Sequence, residues 1–255
     1  MTAALAITQR TSVSLLGVKR LVGFGLLELG PAVIYLASSA RVVDSDLPER
    51  IAAFALTLYF PVVVPVVATV LASSALGGER RDDTLSFLVL RPVARSAIAG
   101  AKIAGASIAV VVLNAIGALS LGLVHAAIGG SAGLVIPFVV GGAVASLVYV
   151  ALFVPFGFLT ERAVIVGLIF VFVFENGIVS ALSGLAPWSP WRIGFSAFAD
   201  LLPAAAAAHP GVADIVDVAL GSVTVGAGGA AAKALVVTLL SVAATTWLLR
   251  SRDLT

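Results

Sequence analysis

Glu79-Arg80-Arg81-Asp82-Asp83-Thr84-Leu85-Ser86-Phe87-Leu88-Val89-Leu90-Arg91-Pro92-Val93-Ala94-Arg95 is the densest run of charge in the chain, and it stands between two apolar runs long enough to cross a bilayer. Asp82 and Asp83 suit the start of a short helix, Arg91 complements its last carbonyls, and Pro92 stops it. The spacing predicts a helix of about two turns. Its body, Thr84 to Leu90, is too short to span hydrocarbon and too apolar to be left in water. Two surroundings would cover it: lipid headgroups, with the arginines snorkelling, or a groove in a cytosolic protein.

Working outward, composition sets the class. The 255 residues are 60% hydrophobic and 11% charged, and the mean hydropathy is +1.15; an ordinary soluble domain is about a quarter charged. This describes an integral membrane protein with little chain left for a soluble core, and a single membrane domain over 1–255 is expected. The net charge of +2 is carried by basic residues scattered at segment ends, which argues against nucleic acid as a partner. The absence of cysteine removes disulfides and thiolate chemistry, and His125 and His209 are too few for a histidine-built metal site.

Continuous apolar runs predict an all-α membrane protein with six transmembrane helices, at about 21–40, 51–77, 97–125, 132–159, 163–184 and 231–249. Residues 1–20, with Arg10, Lys19 and Arg20 among apolar neighbours, read either as an N-terminal interfacial helix or as a disordered leader. With the N-terminus cytoplasmic, that side receives Arg10, Lys19, Arg20, Arg80, Arg81, Arg91, Arg95, Lys102, Arg162, Arg250 and Arg252. The far side receives only Arg41, Arg50, Arg192 and Lys233. The excess places both termini and the 78–96 loop in the cytoplasm, with a long outer connection at 185–230. Trp188 and Trp191 suit a membrane interface there, and Val212–Leu220 reads as a second short helix on the surface.

The run Glu79-Arg80-Arg81-Asp82-Asp83-Thr84-Leu85, followed by Leu88, Arg91-Pro92, Arg95 and Lys102, resembles the cassette after the second helix of ATP-binding cassette (ABC) exporter permeases of the ABC-2 type. It departs from that pattern at Asp83, where the family usually has Gly. The resemblance implies a permease subunit in the cytoplasmic (inner) membrane whose short coupling helix sits in a separate cytosolic ATPase, with Glu79, Asp83, Thr84, Leu85, Phe87, Leu88, Arg91 and Arg95 as coupling residues. It also implies a second permease copy or a homologous permease. ATP and Mg2+ belong to the partner, because none of Lys19, Lys102 and Lys233 has the Gly-Lys-Ser/Thr setting of a phosphate-binding loop. No cofactor is expected on this chain, and no catalysis.

Ionisable residues inside spans cost about 2.5–3.5 kcal/mol at a helix centre, which ranks them as functional candidates. Glu28 falls in the first run and Glu175-Asn176 in the fifth. The competing reading for either acid is a structural one, an interhelical hydrogen bond or a helix-end contact. Pro61 and Pro65 free backbone groups in the second run that need partners inside the bundle. In the family the second and fifth helices flank the translocation route, so the resemblance makes Tyr59, Phe60, Glu175 and Asn176 the pathway candidates. Gly100, Ala101, Gly105 and Ala106, and Gly141, Gly142 and Ala145, permit close helix approach.

Two other classes compete. Gly129-Gly130-Ser131-Ala132-Gly133 matches a nucleophile-elbow pattern, so a membrane-embedded hydrolase would use Ser131. An ATP-independent carrier would be marked by internal inverted repeats, and no second copy of the charged cassette is visible.

Overall fold

The structure is a computed structural model that describes residues 3–39, 46–81, 93–179, 182, 184–221 and 225–251. Every regular element among them is helical. Helix α1 (Ala3–Leu15) precedes α2 (Val18–Ser39). The next run begins as α3 (Leu47–Phe54), with proline in its first turn, passes through a π-helical stretch at Ala55–Val63 and continues as α4 (Val64–Arg81). Then come α5 (Arg95–Ala127), α6 (Val135–Leu159) and α7 (Ala163–Ile169), which runs on as a second π-helical stretch, Phe170–Ile178. Three short helices follow, α8 (Pro190–Asp200), α9 (Ala204–Ala207) and α10 (Pro210–Leu220), before α11 (Gly226–Ser251).

Five helical runs are long and apolar enough to cross a membrane: Val18–Ser39, Leu47–Glu79, Arg95–Ala127, Ala132–Leu159 and Gly226–Ser251. They coincide with five of the six expected spans. The fifth expected span, 163–184, is realised as the shorter apolar helix Ala163–Ile178. The buried share of each span orders the bundle. Ala132–Leu159 is 67% buried against 22% for Val18–Ser39 and 28% for Gly226–Ser251, so α6 is the hub and α2 and α11 are peripheral. The α6 sequence agrees, being hydrophobic on all sides, as a helix covered all round must be.

Small residues set the closest crossings. A Cβ on Gly157 of α6 would lie 2.2 Å from the Ser73 carbonyl oxygen, and one on Gly77 would lie 2.8 Å from the Gly157 carbonyl oxygen, so α4 and α6 touch backbone to backbone. Gly105 does the same for α1, where a Cβ would stand 2.7 Å from the Thr8 carbonyl oxygen. The N-terminal segment is therefore a helix seated on the third span. Gly157→Ala is expected to destabilise the bundle by about 1–3 kcal/mol, the usual cost of overpacking a rigid contact. Thermal unfolding of the purified chain measures it, and an unshifted transition would mean that α4 and α6 sit further apart than described.

The connection at 185–230 contains a helix that is more deeply packed than an interfacial segment would be: α8 packs against α6 and α11 and buries Trp191, Ile193, Gly194, Phe195, Ala197 and Phe198. Phe195 and Phe198 join Tyr59, Phe60 and Phe138 in one aromatic cluster, with Phe138 and Phe198 at 4.7 Å and Phe60 at 5.5 Å from both Phe195 and Phe198. The approach is possible because Gly194 faces Gly141: a Cβ on either would fall within 2.8 Å of the other's carbonyl oxygen. Trp188 is exposed, as an interfacial residue should be, whereas Trp191 is not. Helix α10 is the more exposed of the two, with Val212, Ala219 and Leu220 buried, and it ends at Gly221, whose φ of +48° suits glycine.

Candidate functional site

Two groups of polar residues stand out. The first flanks the charged cassette. Glu79, in the last turn of α4, forms an ion pair with Lys102, two turns into α5. The Lys102 side chain is only 5% exposed, so its ammonium is taken out of water and depends on this partner. On the other flank Arg95, at the first position of α5, donates from Nη1 to the Leu249 carbonyl oxygen at 2.9 Å. A guanidinium is well placed there, because the last carbonyls of α11 lack helical partners and carry the negative end of the helix dipole. The two bonds tie the ends of the cassette to three helices: α4 to α5, and α5 to α11. Asp83, Thr84, Leu85, Phe87, Leu88 and Arg91 lie outside the described residues.

The second group surrounds Glu175, in the π-helical stretch after α7. Its side chain is buried, and its carboxylate accepts from Tyr149 Oη at 2.6 Å, Ser189 Oγ at 2.8 Å and the Trp191 backbone N–H at 3.2 Å. Trp191 is in the first turn of α8, so the carboxylate does from a distance what an N-cap side chain does locally. Ser189 occupies the N-cap position yet makes no side-chain cap; its hydroxyl goes to Glu175 instead. Arg192 adds to this end of α8 by lying over the Trp191 ring at 4.6 Å and donating from Nε to the Ala219 carbonyl oxygen at 3.2 Å. Glu175 thus joins the fifth expected span, the fourth span and the 185–230 connection in one buried network.

Asn176, next in sequence, resolves the proline problem in the second span. Pro65 has no N–H to give its i−4 acceptor, the Pro61 carbonyl, and Asn176 Nδ2 donates to that oxygen at 3.1 Å. It also donates to the Val171 carbonyl at 3.0 Å. Tyr59 and Phe60 are fully buried; the Tyr59 hydroxyl donates to the Asn114 carbonyl at 2.9 Å, and Gly142 leaves it room. Of the four pathway candidates, Tyr59, Phe60 and Glu175 are buried and Asn176 is half-buried, and the bond from Asn176 to the Pro61 carbonyl links the π-helical stretch after α7 to the α3–α4 run. Sequence reasoning missed Tyr149, Ser189 and Trp191 as partners of Glu175, since nothing in a linear chain marks a hydroxyl 26 residues away as a hydrogen-bond donor.

The hydrolase pattern has another use. Ser131 is exposed and its Oγ accepts from the Gly133 N–H at 3.2 Å, capping the short 3-10 turn Ala132–Leu134 between two helices. The Nδ1 of His125 is engaged by the Tyr35 hydroxyl at 2.8 Å. No strand-to-helix turn of the kind that strains a nucleophile exists among the described residues.

A comparison with protein families matches residues 20–183 to the family described as ABC-2 family transporter protein. A search of curated proteins finds none that matches.

Proposed function

Because the chain belongs to the ABC-2 family of transporter proteins, we propose that it is the permease subunit of an ATP-driven exporter, moving its cargo with ATP and Mg2+ handled by a separate cytosolic ATPase. Six crossings are proposed, the shorter Ala163–Ile178 helix being one of them, with both termini and residues 78–96 on the cytoplasmic side of the inner membrane. The domain spans 1–255 and works beside a second copy or a homologous permease. The observation that carries the reading is the bracing of the charged cassette: an apolar segment with no room to span, held at its ends by Glu79–Lys102 and by Arg95 on the last helix. A partner that moves the segment then moves α4, α5 and α11 together, which is how a docked helix becomes a lever.

In this proposal Asp83 through Arg91 make the docking surface, and Phe87 and Leu88 supply its apolar anchor. Tyr59, Phe60, Glu175 and Asn176 form the packed wall behind the cargo route, holding α3–α4 and the 163–178 helix in fixed relation.

Orientation is tested without background, since the chain has no cysteine. Single cysteines replacing Ser45 and Ser86 are expected to react with a membrane-impermeant maleimide from outside and from inside, respectively, in oriented vesicles. Labelling of both from one side would overturn the topology.

A further inference from the structure

Helix α2 meets the rest of the bundle through one stripe of buried residues: Glu28, Pro31, Ala32, Tyr35 and Ser39. The spacing is helical, and the remaining faces of α2 are covered by exposed large apolar side chains such as Val22, Leu26, Val33 and Ile34. An acid therefore occupies a position on the packing face where periodicity calls for an apolar group, near the middle of a 22-residue span. Glu28 is 0% exposed, and neither carboxyl oxygen has a hydrogen-bond partner. The seat is built for it, because a Cβ on Gly117 of α5 would lie 1.9 Å from Glu28 Oε2.

The hydroxyl and cationic groups on the elements that pack against α2 make their bonds elsewhere. Tyr59, on the π-helical stretch, donates its only hydroxyl proton to the Asn114 carbonyl. On α5, Lys102 is paired with Glu79 near one end and His125 with Tyr35 near the other. Arg50, on α3, donates to Ser39 Oγ and to the Ser38 carbonyl. A metal ion would need several further oxygens, and no group of three or more acidic or histidine side chains able to hold one occurs among the described residues. An ionised carboxylate in that seat would be an uncompensated charge in an apolar interior.

We propose that Glu28 is a proton-binding site, and that the first span docks on Gly117 with the carboxyl protonated. The ligand is a proton from solvent, taken up as α2 closes against α5 and released when α2 withdraws and the carboxyl meets water. The position of the least embedded span is thereby linked to proton binding, a property separate from ATP coupling.

Infrared difference spectroscopy on the full chain in lipid nanodiscs, wild type minus Glu28→Gln, tests this directly. The expected result is a carboxylic-acid C=O stretch at neutral pH that is missing from Glu28→Gln. Glu28→Gln keeps the size and neutrality of the acid, so it folds as the wild type does. By linkage, a state that binds the proton loses stability as pH rises. The wild type is therefore expected to melt progressively earlier as pH rises above the ordinary glutamate range, about 4.3, for as long as the docked Glu28 stays protonated, while Glu28→Gln lacks that part of the dependence. Carboxylate bands alone at neutral pH, whether from an ionised acid with water or with a cation, would overturn the proposal, as would equal pH slopes in the two proteins.

Discussion

Replacing Phe87 and Leu88 together with aspartate is expected to abolish ATPase stimulation and transport in parallel while leaving the chain inserted and folded. Each substitution removes an apolar side chain whose burial contributes about 1.5–3 kcal/mol and puts an unpaired charge in its place. The loss on docking is then at least about 4 kcal/mol, roughly a thousandfold in affinity. The Glu79–Lys102 pair and the Arg95 contact with Leu249 lie outside the altered turn, so the helices that brace it are untouched. The measurement is ATPase activity of the reconstituted complex beside vesicle uptake; wild-type coupling in the double variant would refute the lever. A lipid-facing role for these residues would instead lower membrane stability without separating ATPase activity from transport.

Glu175→Ala is expected to have the largest effect on the fold. It strands the Tyr149 hydroxyl and the Trp191 N–H, and each buried group left without a partner costs about 1–3 kcal/mol. The combined loss of about 2–6 kcal/mol is comparable to the stability of many domains. Helix α8 would lose its N-terminal anchor, so the connection around 184–221 should become sensitive to added protease before the spans unfold. Glu175→Gln keeps one carbonyl acceptor, and hydroxyls reorient, so its loss should be markedly smaller. Limited proteolysis and thermal unfolding of the three proteins distinguish the cases. Equal behaviour of Ala and wild type would mean that α8 is held by its aromatic packing alone.

These two sites differ in how far the linear sequence reveals them. The spans were readable because bilayer thickness and backbone hydrogen bonding leave few options for runs such as 97–125, which the structure extends by two residues at each end, and 132–159, whose bounds it reproduces. The cassette stands out because charge is rare in this chain, and Pro92 would limit a helix there, but residues 82–92 lie outside the described residues. The depth of α8 was not. Its Trp191, Phe195 and Phe198 recur at helical spacing, which is a usable signal, but Pro187, Pro190 and Pro203 break the run below spanning length, and a tryptophan near a span end suits an interface equally well. Burial of α8 is decided by Gly141 meeting Gly194, a contact between residues 53 positions apart. The same holds for Glu28 and Gly117: the acid was visible, its glycine seat was not. The π-helical stretches around Tyr59 and Glu175 have no linear signature beyond the prolines, and Asn176 serving the Pro61 carbonyl emerges only when the two helices are set side by side.

The account rests on residues 83–90 meeting a cytosolic ATPase. A photoreactive amino acid at position 87 of the full chain, irradiated in membranes of the native host, tests this most directly, with the adduct identified by mass spectrometry. The expected product is an ATP-binding cassette subunit, recognisable by its phosphate-binding-loop peptide and lost when the same probe is placed at the exposed Leu26 of α2. Adducts to lipid alone, or to another segment of this chain, would contradict the exporter assignment.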